Sequence, residues 1–444
     1  MPKSETIAAL SSAAGCGGIS VIRVSGPESK KIAKKITNCQ LKARYAHHCN
    51  FFMTTANKKI DQGIVIFFPQ PASFTGEDVI EFHTHGSPVV IDIMLETIVE
   101  LGARLANPGE FTQRAFLNGK LDLSQAEAVA DLIYASTRSA AYSATKSLDG
   151  ALSRHASDLK DKLIKLRTYV EASLDFSDEE IDFLENAEIV KNIKEIDDVI
   201  TNLIKSAKHG NLLKEGFKLV FIGAPNVGKS SLMNHFTGEE TSIVTEVPGT
   251  TRDPITAELQ IDGIPIKAID TAGIRNSKDI VEAEGVRRAW GAIEKADVVL
   301  HIFDGTKKWT DIDNAIKKQA DKNKKYILIR NKIDLAKKIS DDKAITMNVS
   351  ALTGEGVQGL KTAIKKLVTE AGATEEGVFT ARRRHILALQ KAKNAVERAT
   401  QPPMHAEIIA EELRAAQESC SEITGEFTND DLLGEIFSNF CIGK

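Results

Sequence analysis

A multidomain α/β chain is predicted by three observations. An apolar run, Lys218-Leu-Val-Phe-Ile222, leads into Gly223-Ala-Pro-Asn-Val-Gly-Lys-Ser230, which fits the G-x-x-x-x-G-K-[ST] phosphate loop and opens a helical segment. Ahead of it, residues 1 to about 118 alternate strand-like and helix-like stretches between turn signals. On either side of 217–372, apolar residues recur at helical spacing. The reading is an α+β N-terminal domain over 1–118 and an all-helical domain in two pieces, 119–213 and 375–444. A phosphate-loop domain over 217–372, mostly parallel sheet flanked by helices, is inserted between them. Such an insertion is tolerated when the termini of the inserted module lie close together, and 444 residues suit about three domains.

In the N-terminal part, Ile19-Ser-Val-Ile-Arg-Val24 and Gly63-Ile-Val-Ile-Phe-Phe68 read as strands and 89–101 as a helix. Gly26-Pro27, Gly76 and Pro108-Gly109 mark turns. From Lys120 the period changes. Leu159, Leu163, Leu166, Val170 and Leu174 form one stripe, and Ile189, Ile193, Ile196, Ile200 and Leu203 form another. These near-heptad stripes suit antiparallel helices in a bundle better than an intermolecular coiled coil. Helix returns after the inserted module, with Ile386, Leu389, Ala392, Val396 and Ala399 on one face, followed by 407–421.

The inserted module carries the chemistry. Gly223 and Gly228 let backbone N–H groups turn around a β-phosphate, with Asn226, Val227, Ser230 and Ser231 completing the loop and the start of its helix. Lys229 is placed to reach the β- and γ-phosphates, and the Ser230 hydroxyl to ligate Mg²⁺. Asn331-Lys332-Ile333-Asp334 follows the apolar run Tyr326-Ile-Leu-Ile329. A carboxylate at Asp334 can accept from guanine N1–H and its 2-amino group, whereas adenine offers neither donor there. Ser350-Ala351, after another short strand, is placed for a backbone N–H to reach guanine O6. Ile266-Lys-Ala-Ile-Asp270-Thr-Ala-Gly273 ends a strand in an acid that can hold the Mg²⁺ shell through water; Gly273 allows a backbone N–H to approach the γ-phosphate closely, and Thr271 and Ala272 are GTP-binding candidates beside it. Gly249-Thr250-Thr251-Arg252-Asp253 offers Thr251 as the second Mg²⁺ hydroxyl, a catalytic position. The four elements occur in the chain order of Ras-like GTPases. GTP is the implied substrate.

After Gly273 comes Ile274, whose apolar side chain cannot orient an attacking water. Glu282 and Glu284 can take that task, although either also suits a solvated helix face. Arg252 and Arg275 can act as fingers in cis or be plain surface charges, and Asn226 can present its amide oxygen to a monovalent cation.

Lys+Arg 57 against Asp+Glu 61 leaves a net charge of −4, so a nucleic-acid partner must use a local basic patch. Five irregularly spaced cysteines, Cys16, Cys39, Cys49, Cys420 and Cys441, lack metal-site spacing and favour a reducing cytosol. No apolar run approaches the length of a membrane span, and the N-terminus is a poor signal peptide, so a cytoplasmic protein without a membrane role is expected. His83-Thr-His85 can ligate a metal but shows no third ligand, and Arg382-Arg-Arg-His385 suits either phosphate or a solvated helix start. Gly15-Cys-Gly-Gly18 reads as a turn, and Cys441 as an incidental thiol unless context assigns it more.

The flanking segments carry a resemblance. Gly17-Gly-Ile-Ser-Val-Ile-Arg-Val-Ser-Gly26, Ser73-Phe-Thr-Gly-Glu-Asp78, Pro108-Gly-Glu-Phe-Thr112, Arg114-Ala-Phe-Leu-Asn-Gly-Lys-Leu-Asp122, Ser421-Glu-Ile-Thr-Gly-Glu-Phe427 and Cys441-Ile-Gly-Lys444 resemble the MnmE (TrmE) family of tRNA-modification GTPases from end to end. The resemblance implies an N-terminal domain that dimerises and binds a tetrahydrofolate, in its 5-formyl or methylene form. It implies a heterotetramer with an FAD flavoprotein of the MnmG type. That complex would install an aminomethyl or carboxymethylaminomethyl group at C5 of the wobble uridine of certain tRNAs. Arg23, Glu81, Lys120 and Lys444 match folate-contacting positions. Asn226, Thr245, Val247 and Thr250 match those holding K⁺, with Thr245 and Thr250 also lying against GTP, and Glu282 matches the catalytic glutamate. Cys441, beside the folate, can act as a nucleophile or hold a one-carbon adduct. A non-catalytic switch, an assembly factor of the Era or EngA kind, is the alternative. It should carry an RNA-binding module, and no such signature is visible in the sequence.

Overall fold

The computed structural model describes residues 5–175, 187–237, 256–261, 264–270, 290–320, 325–335, 346–370, 379–402, 405–426, 430–438 and 440–443. They fall into two compact units: Met1–Ile133, Ser147–Ile200 and Ala388–Lys444 form one, Tyr134–Lys146 and Thr201–Leu387 the other.

The first unit holds a six-stranded sheet of β1 (Ile7–Leu10), β2 (Gly17–Ser25), β3 (His47–Met53), β4 (Lys58–Phe68), β5 (Val79–Gly86) and β6 (Arg104–Leu105), ordered β3-β4-β5-β2-β1-β6. Its neighbours are antiparallel except β1 and β6. The period of two sorts the side chains. Ile22, Val24, Val65, Phe67, Ile80 and Phe82 join one core with residues of the helices Ser29–Thr37 and Pro88–Glu100. Arg23 and Glu81, one residue out of phase, lie on the opposite face. Ser29–Thr37 buries Ile32, Ala33 and Ile36, carries Lys34 and Lys35 at its negative end, and stops at Asn38 with φ 54. Pro88 opens the second helix, where its missing N–H costs nothing.

The stripe Leu159, Leu163, Leu166, Val170 is buried along the helix Ala151–Asp175. Its partner is the helix Ala406–Thr424, which buries Ile409, Leu413, Ala416, Cys420 and Ile423. Lys160 bonds Glu426 and Arg167 bonds Gln417, so the two run antiparallel. Helix Ala187–Glu215 buries Ile189, Ile193, Ile196 and Ile200, and its Asp197 pairs with Lys393 of the helix Arg383–Arg398. Leu123, Ala126 and Ala130 of the helix Leu123–Ile133 pack on Leu433, Ile436 and Phe437 of the helix Asp430–Ser438 and on Phe440. Segments more than 250 residues apart therefore share one helical core, as expected when each apolar stripe needs a partner.

The second unit is built on β7 (Phe217–Ile222), β8 (Thr256–Ile261), β9 (Ile264–Asp270), β10 (Val298–Asp304), β11 (Lys325–Asn331) and β12 (Thr346–Asn348), ordered β12-β11-β10-β7-β9-β8. All pairs are parallel except β8 with β9. Both faces are covered, which is why β7 and β10 are almost continuously apolar. After β7 the chain goes to β8 and β9 on one side, then crosses to β10 on the other. The strand order thus reverses between β7 and β10, the place where open α/β sheets bind ligands beyond the carboxyl ends of their strands. This is a P-loop GTPase fold. Among the described residues no helix is long and apolar enough to cross a membrane.

Candidate functional site

The reversal point puts the glycine-rich loop where phosphate is expected. β7 ends at Ile222, and the helix Lys229–Thr237 begins seven residues later. Gly223 packs so closely on the neighbouring strand that an added Cβ would land on the Ile302 carbonyl oxygen. Gly228 has φ 95, and a Cβ there would meet Asn331 Nδ2. Asn226, exposed at the tip, takes φ 61 without being glycine. Lys229 is 6% exposed, and its Nζ donates to the carbonyls of Gly223 at 3.2 Å and Ala224 at 3.0 Å. The loop thus wraps its own ammonium group. Ser230 and Ser231 are exposed in the first turn of that helix.

Asn331 ties two loops together. Its Nδ2 donates to Val227 O at 2.7 Å, and its Oδ1 accepts from Ala351 N–H at 2.9 Å. The residue is 1% exposed, so both bonds are shielded from water. Of the Ser350-Ala351 amides, one of which was expected to face guanine O6, Ala351 N–H donates to Asn331 Oδ1, a side-chain acceptor that strand spacing gave no sign of. His235 Nε2 meets Ala351 O at 2.8 Å, and Ser350, fully buried, takes the Glu355 carbonyl with its N–H and caps Thr353 N–H with its hydroxyl. Lys332, at φ 66, donates to Asp304 Oδ2 at 2.8 Å. Asp334 is exposed beside these groups in the chain. The structure brings residues 223–231, 331–332 and 350–351 together.

Thr245, Val247, Thr250, Thr251, Arg252, Thr271, Ala272, Gly273, Ile274, Arg275, Glu282, Glu284 and Lys444 lie outside the described residues, as does the side chain of Asp270. Ser230 alone can be tested as a Mg²⁺ ligand. An exposed hydroxyl there suits a hard cation that keeps several waters and phosphate oxygens. No group of three or more His, Cys, Asp or Glu gathers among the described residues. His83 and His85 do not form such a site: His85 Nδ1 meets Asp61 Oδ1 at 2.8 Å, and His83 Nε2 lies 3.6 Å from Glu81 Oε2. His385, 2% exposed, accepts Arg382 N–H with Nδ1, so this run caps its own helix.

In the first unit, Arg23 donates from Nε and Nη2 to Glu81 Oε1 at 3.0 and 2.8 Å. The guanidinium lies 5.3 Å from the Phe74 ring centre and 5.8 Å from that of Phe111. Among the described residues His83 Nε2 has no hydrogen-bond partner, and Glu81 Oε2 lies 3.6 Å from it. Lys120 is exposed, with its stem beside Gly76 of the Ser73–Asp78 run. The chain's last described residues return here: Ser11 Oγ donates to Gly443 O at 2.9 Å, Gly109 N–H donates to Cys441 O at 3.2 Å, and Pro108 bridges Ile442. Leu10 and Ser11 lie at the end of β1, which pairs with β2 at Ala9 opposite Arg23. Cys441 is exposed. A paired charge and two aromatic faces suit a flat heteroaromatic group with a polar edge.

Sequence reading missed an ion network beneath this cluster. Glu110 accepts from Arg104, Arg114 and Asn107 N–H, Arg114 also donates to Glu77, and Glu77 accepts from Ser25. Burial pushes the Glu110 carboxyl up, but the hydrogen bonds from Arg104, Asn107 and Arg114 outweigh it and bring it down to about 2. Only the run Pro108–Thr112 hinted at it.

Two family models match the chain: GTP-binding protein TrmE N-terminus over residues 6–120 and MnmE helical domain over 123–441. The chain is 48% identical to the tRNA modification GTPase MnmE of Nitrosomonas eutropha over 453 residues, covering 100% of both. It is 47% identical to that of Hydrogenovibrio crunogenus and 48% to that of Coxiella burnetii strain Dugway, each over 99% of both chains. Among solved structures, a variant of Aquifex aeolicus Era bound to GDP and AlF4⁻ is 27% identical, with a TM-score of 0.29, covering 42% of this chain and 68% of Era. End-to-end identity at this level, over both flanking domains and the phosphate-loop module, places the chain in the MnmE (TrmE) family of tRNA modification GTPases.

Proposed function

We propose that the chain hydrolyses GTP in a K⁺-dependent manner within a complex containing an FAD flavoprotein of the MnmG type. That complex would install an aminomethyl or carboxymethylaminomethyl group at C5 of the wobble uridine of certain tRNAs. The observation that carries the nucleotide half is the Asn331 bridge between Val227 and Ala351, which presents phosphate and base loops as one rigid surface. Lys229 supplies positive charge at the β- and γ-phosphates, and Asp334 selects guanine. Mg²⁺, held by Ser230 with Thr251 and the Asp270 shell, supplies charge neutralisation at the phosphates. Asn226, Thr245, Val247 and Thr250 are proposed to hold K⁺, and Glu282 to orient the attacking water in place of Ile274.

The Arg23–Glu81 pair supports a tetrahydrofolate site completed by Lys120 and Lys444, with the Cys441 thiol facing it. Homodimerisation through the N-terminal domain, a heterotetramer with the flavoprotein, action in the cytoplasm, and the division at 1–118, 119–213, 217–372 and 375–444 belong to the same reading.

Initial rates of GTP hydrolysis by the full chain in K⁺ and Na⁺ buffers test it, with Glu282→Ala alongside. K⁺ should accelerate turnover strongly, and the variant should lose turnover far more than nucleotide affinity. Equal rates in both salts remove the cation. Nucleoside analysis of tRNA from a strain lacking the protein tests the modification.

A further inference from the structure

Two sulfur atoms on neighbouring elements of the first unit lie in near-bonding contact. Cys39 follows the left-handed Asn38 at the end of the helix Ser29–Thr37, Cys49 sits in β3, and their Sγ atoms are 2.8 Å apart. A disulfide requires about 2.05 Å, so closing the pair asks for less than 1 Å of further approach.

Both positions are held. Cys39 N–H donates to Thr37 Oγ1, which itself donates to the Ala33 carbonyl, and Cys49 pairs with Gly63 in the β3–β4 ladder. The connecting segment is pinned as well. Arg44 N–H donates to Phe67 O, its guanidinium to Ala72 O, and Lys42 N–H to His47 Nε2. Cys16 and Cys441 are exposed and Cys420 is buried.

We propose that Cys39 and Cys49 form a redox-active dithiol, closed to an intramolecular disulfide by a peroxide and reopened by a thiol reductant. The geometry orders the steps. Cys49 is 5% exposed, and its S–H donates to the Cys39 sulfur. Burial, reinforced by that hydrogen bond, pushes the Cys49 thiol up to about 12, so Cys49 keeps its proton. Cys39, half-buried, is the more accessible sulfur for a peroxide to reach. Its lone pair attacks one peroxide oxygen. The O–O bond breaks, hydroxide leaves and takes the thiol proton as water, and Cys39 becomes a sulfenic acid. Cys49 sulfur then attacks Cys39 sulfur. The S–O bond breaks, the Cys49 proton leaves with the hydroxyl as a second water, and the S–S bond forms. Two thiols and one peroxide give one disulfide and two waters, a two-electron oxidation.

The full chain is treated with one equivalent of hydrogen peroxide, its remaining thiols are alkylated, and the digest is mapped by mass spectrometry. The expected product is a single cross-linked peptide pair joining Cys39 to Cys49, two hydrogen atoms lighter than the reduced pair, and restored by dithiothreitol. Amide exchange across 38–49 should slow in the oxidised protein, because the bond closes that loop. Cys39 recovered as alkylated thiol, as sulfinic acid, or linked to Cys16, Cys420 or Cys441 overturns the proposal. The decisive arm uses the unmodified sequence, so the stability of serine variants does not enter.

Discussion

Lys332 Nζ lies 2.8 Å from Asp304 Oδ2, which ties the Asn331–Asp334 run to the carboxyl end of the neighbouring strand β10. Asp304 is 6% exposed and also accepts from Thr306 N–H at 3.0 Å and Thr306 Oγ1–H at 2.6 Å. Burial pushes its carboxyl up, but Lys332 and Thr306 hold it below the usual range. The carboxylate is thus fixed before it meets the lysine, and it steadies a residue at φ 66 that a β-carbon disfavours. Asp304→Ala should weaken GTP and GDP binding about tenfold, roughly 1.4 kcal/mol, with a smaller change in turnover at saturation. Calorimetric titration of both nucleotides checks it, and unchanged affinity refutes the coupling.

Gly228→Ala should be far more damaging than its size suggests. The new methyl group would be driven into Asn331 Nδ2 at φ 95, breaking the bridge to Val227. Nucleotide affinity should fall about a hundredfold or more, roughly 2.7 kcal/mol. Gly291→Ala, where a Cβ meets no described residue within 4 Å, serves as the control and should bind normally.

Asp334→Asn exchanges an acceptor for a donor on an exposed side chain that the fold does not need. GTP affinity should drop by about two orders of magnitude while xanthosine triphosphate gains. Competition binding with the two nucleotides measures the swap, and a uniform loss for both contradicts a base contact.

Acid should loosen the N-terminal sheet through Glu110. Its folded carboxyl lies at about 2 against an ordinary 4.5, so the folded state favours the charged form. That stability is complete above pH 4.5 and is lost as pH falls toward 2, about 3 kcal/mol at most. Glu110→Gln should be destabilised at neutral pH and show a flatter decline over that window. Thermal unfolding from pH 5 to 2.5 reads both, and parallel curves for the two proteins remove the assignment.

Deleting residues 441–444 should leave GTP hydrolysis largely intact while abolishing the modified wobble nucleoside. Among the described residues the tail's contacts include Leu10, Ser11 and Pro108–Gly109, beside the Arg23 strand and within the first unit. Normal tRNA modification by the truncated protein would show that the tail is no part of that site.

The phosphate loop, the strand before it and the Asn331–Asp334 run after β11 were legible because each is local: glycine where φ is positive, apolar runs where a strand is covered on both faces, a lysine at fixed spacing. The helical stripes were legible for the same reason. That 159–170 packs on 409–423 follows from the need for a partner, although which helix answers it is a matter of shape. The Asn331 bridge, the Asp304–Lys332 pair, the Arg104–Glu110–Arg114 network and the Cys39–Cys49 contact have no motif. Residues in such contacts are chosen by which atoms a completed sheet or packed helix leaves unsatisfied. The sequence by itself determined the phosphate-loop chemistry and the periodicity of the long helices and of the strands it marked. Only the tertiary structure decided which carboxylate holds which cation, because that depends on strand order, and strand order is fixed by contacts made far apart along the chain.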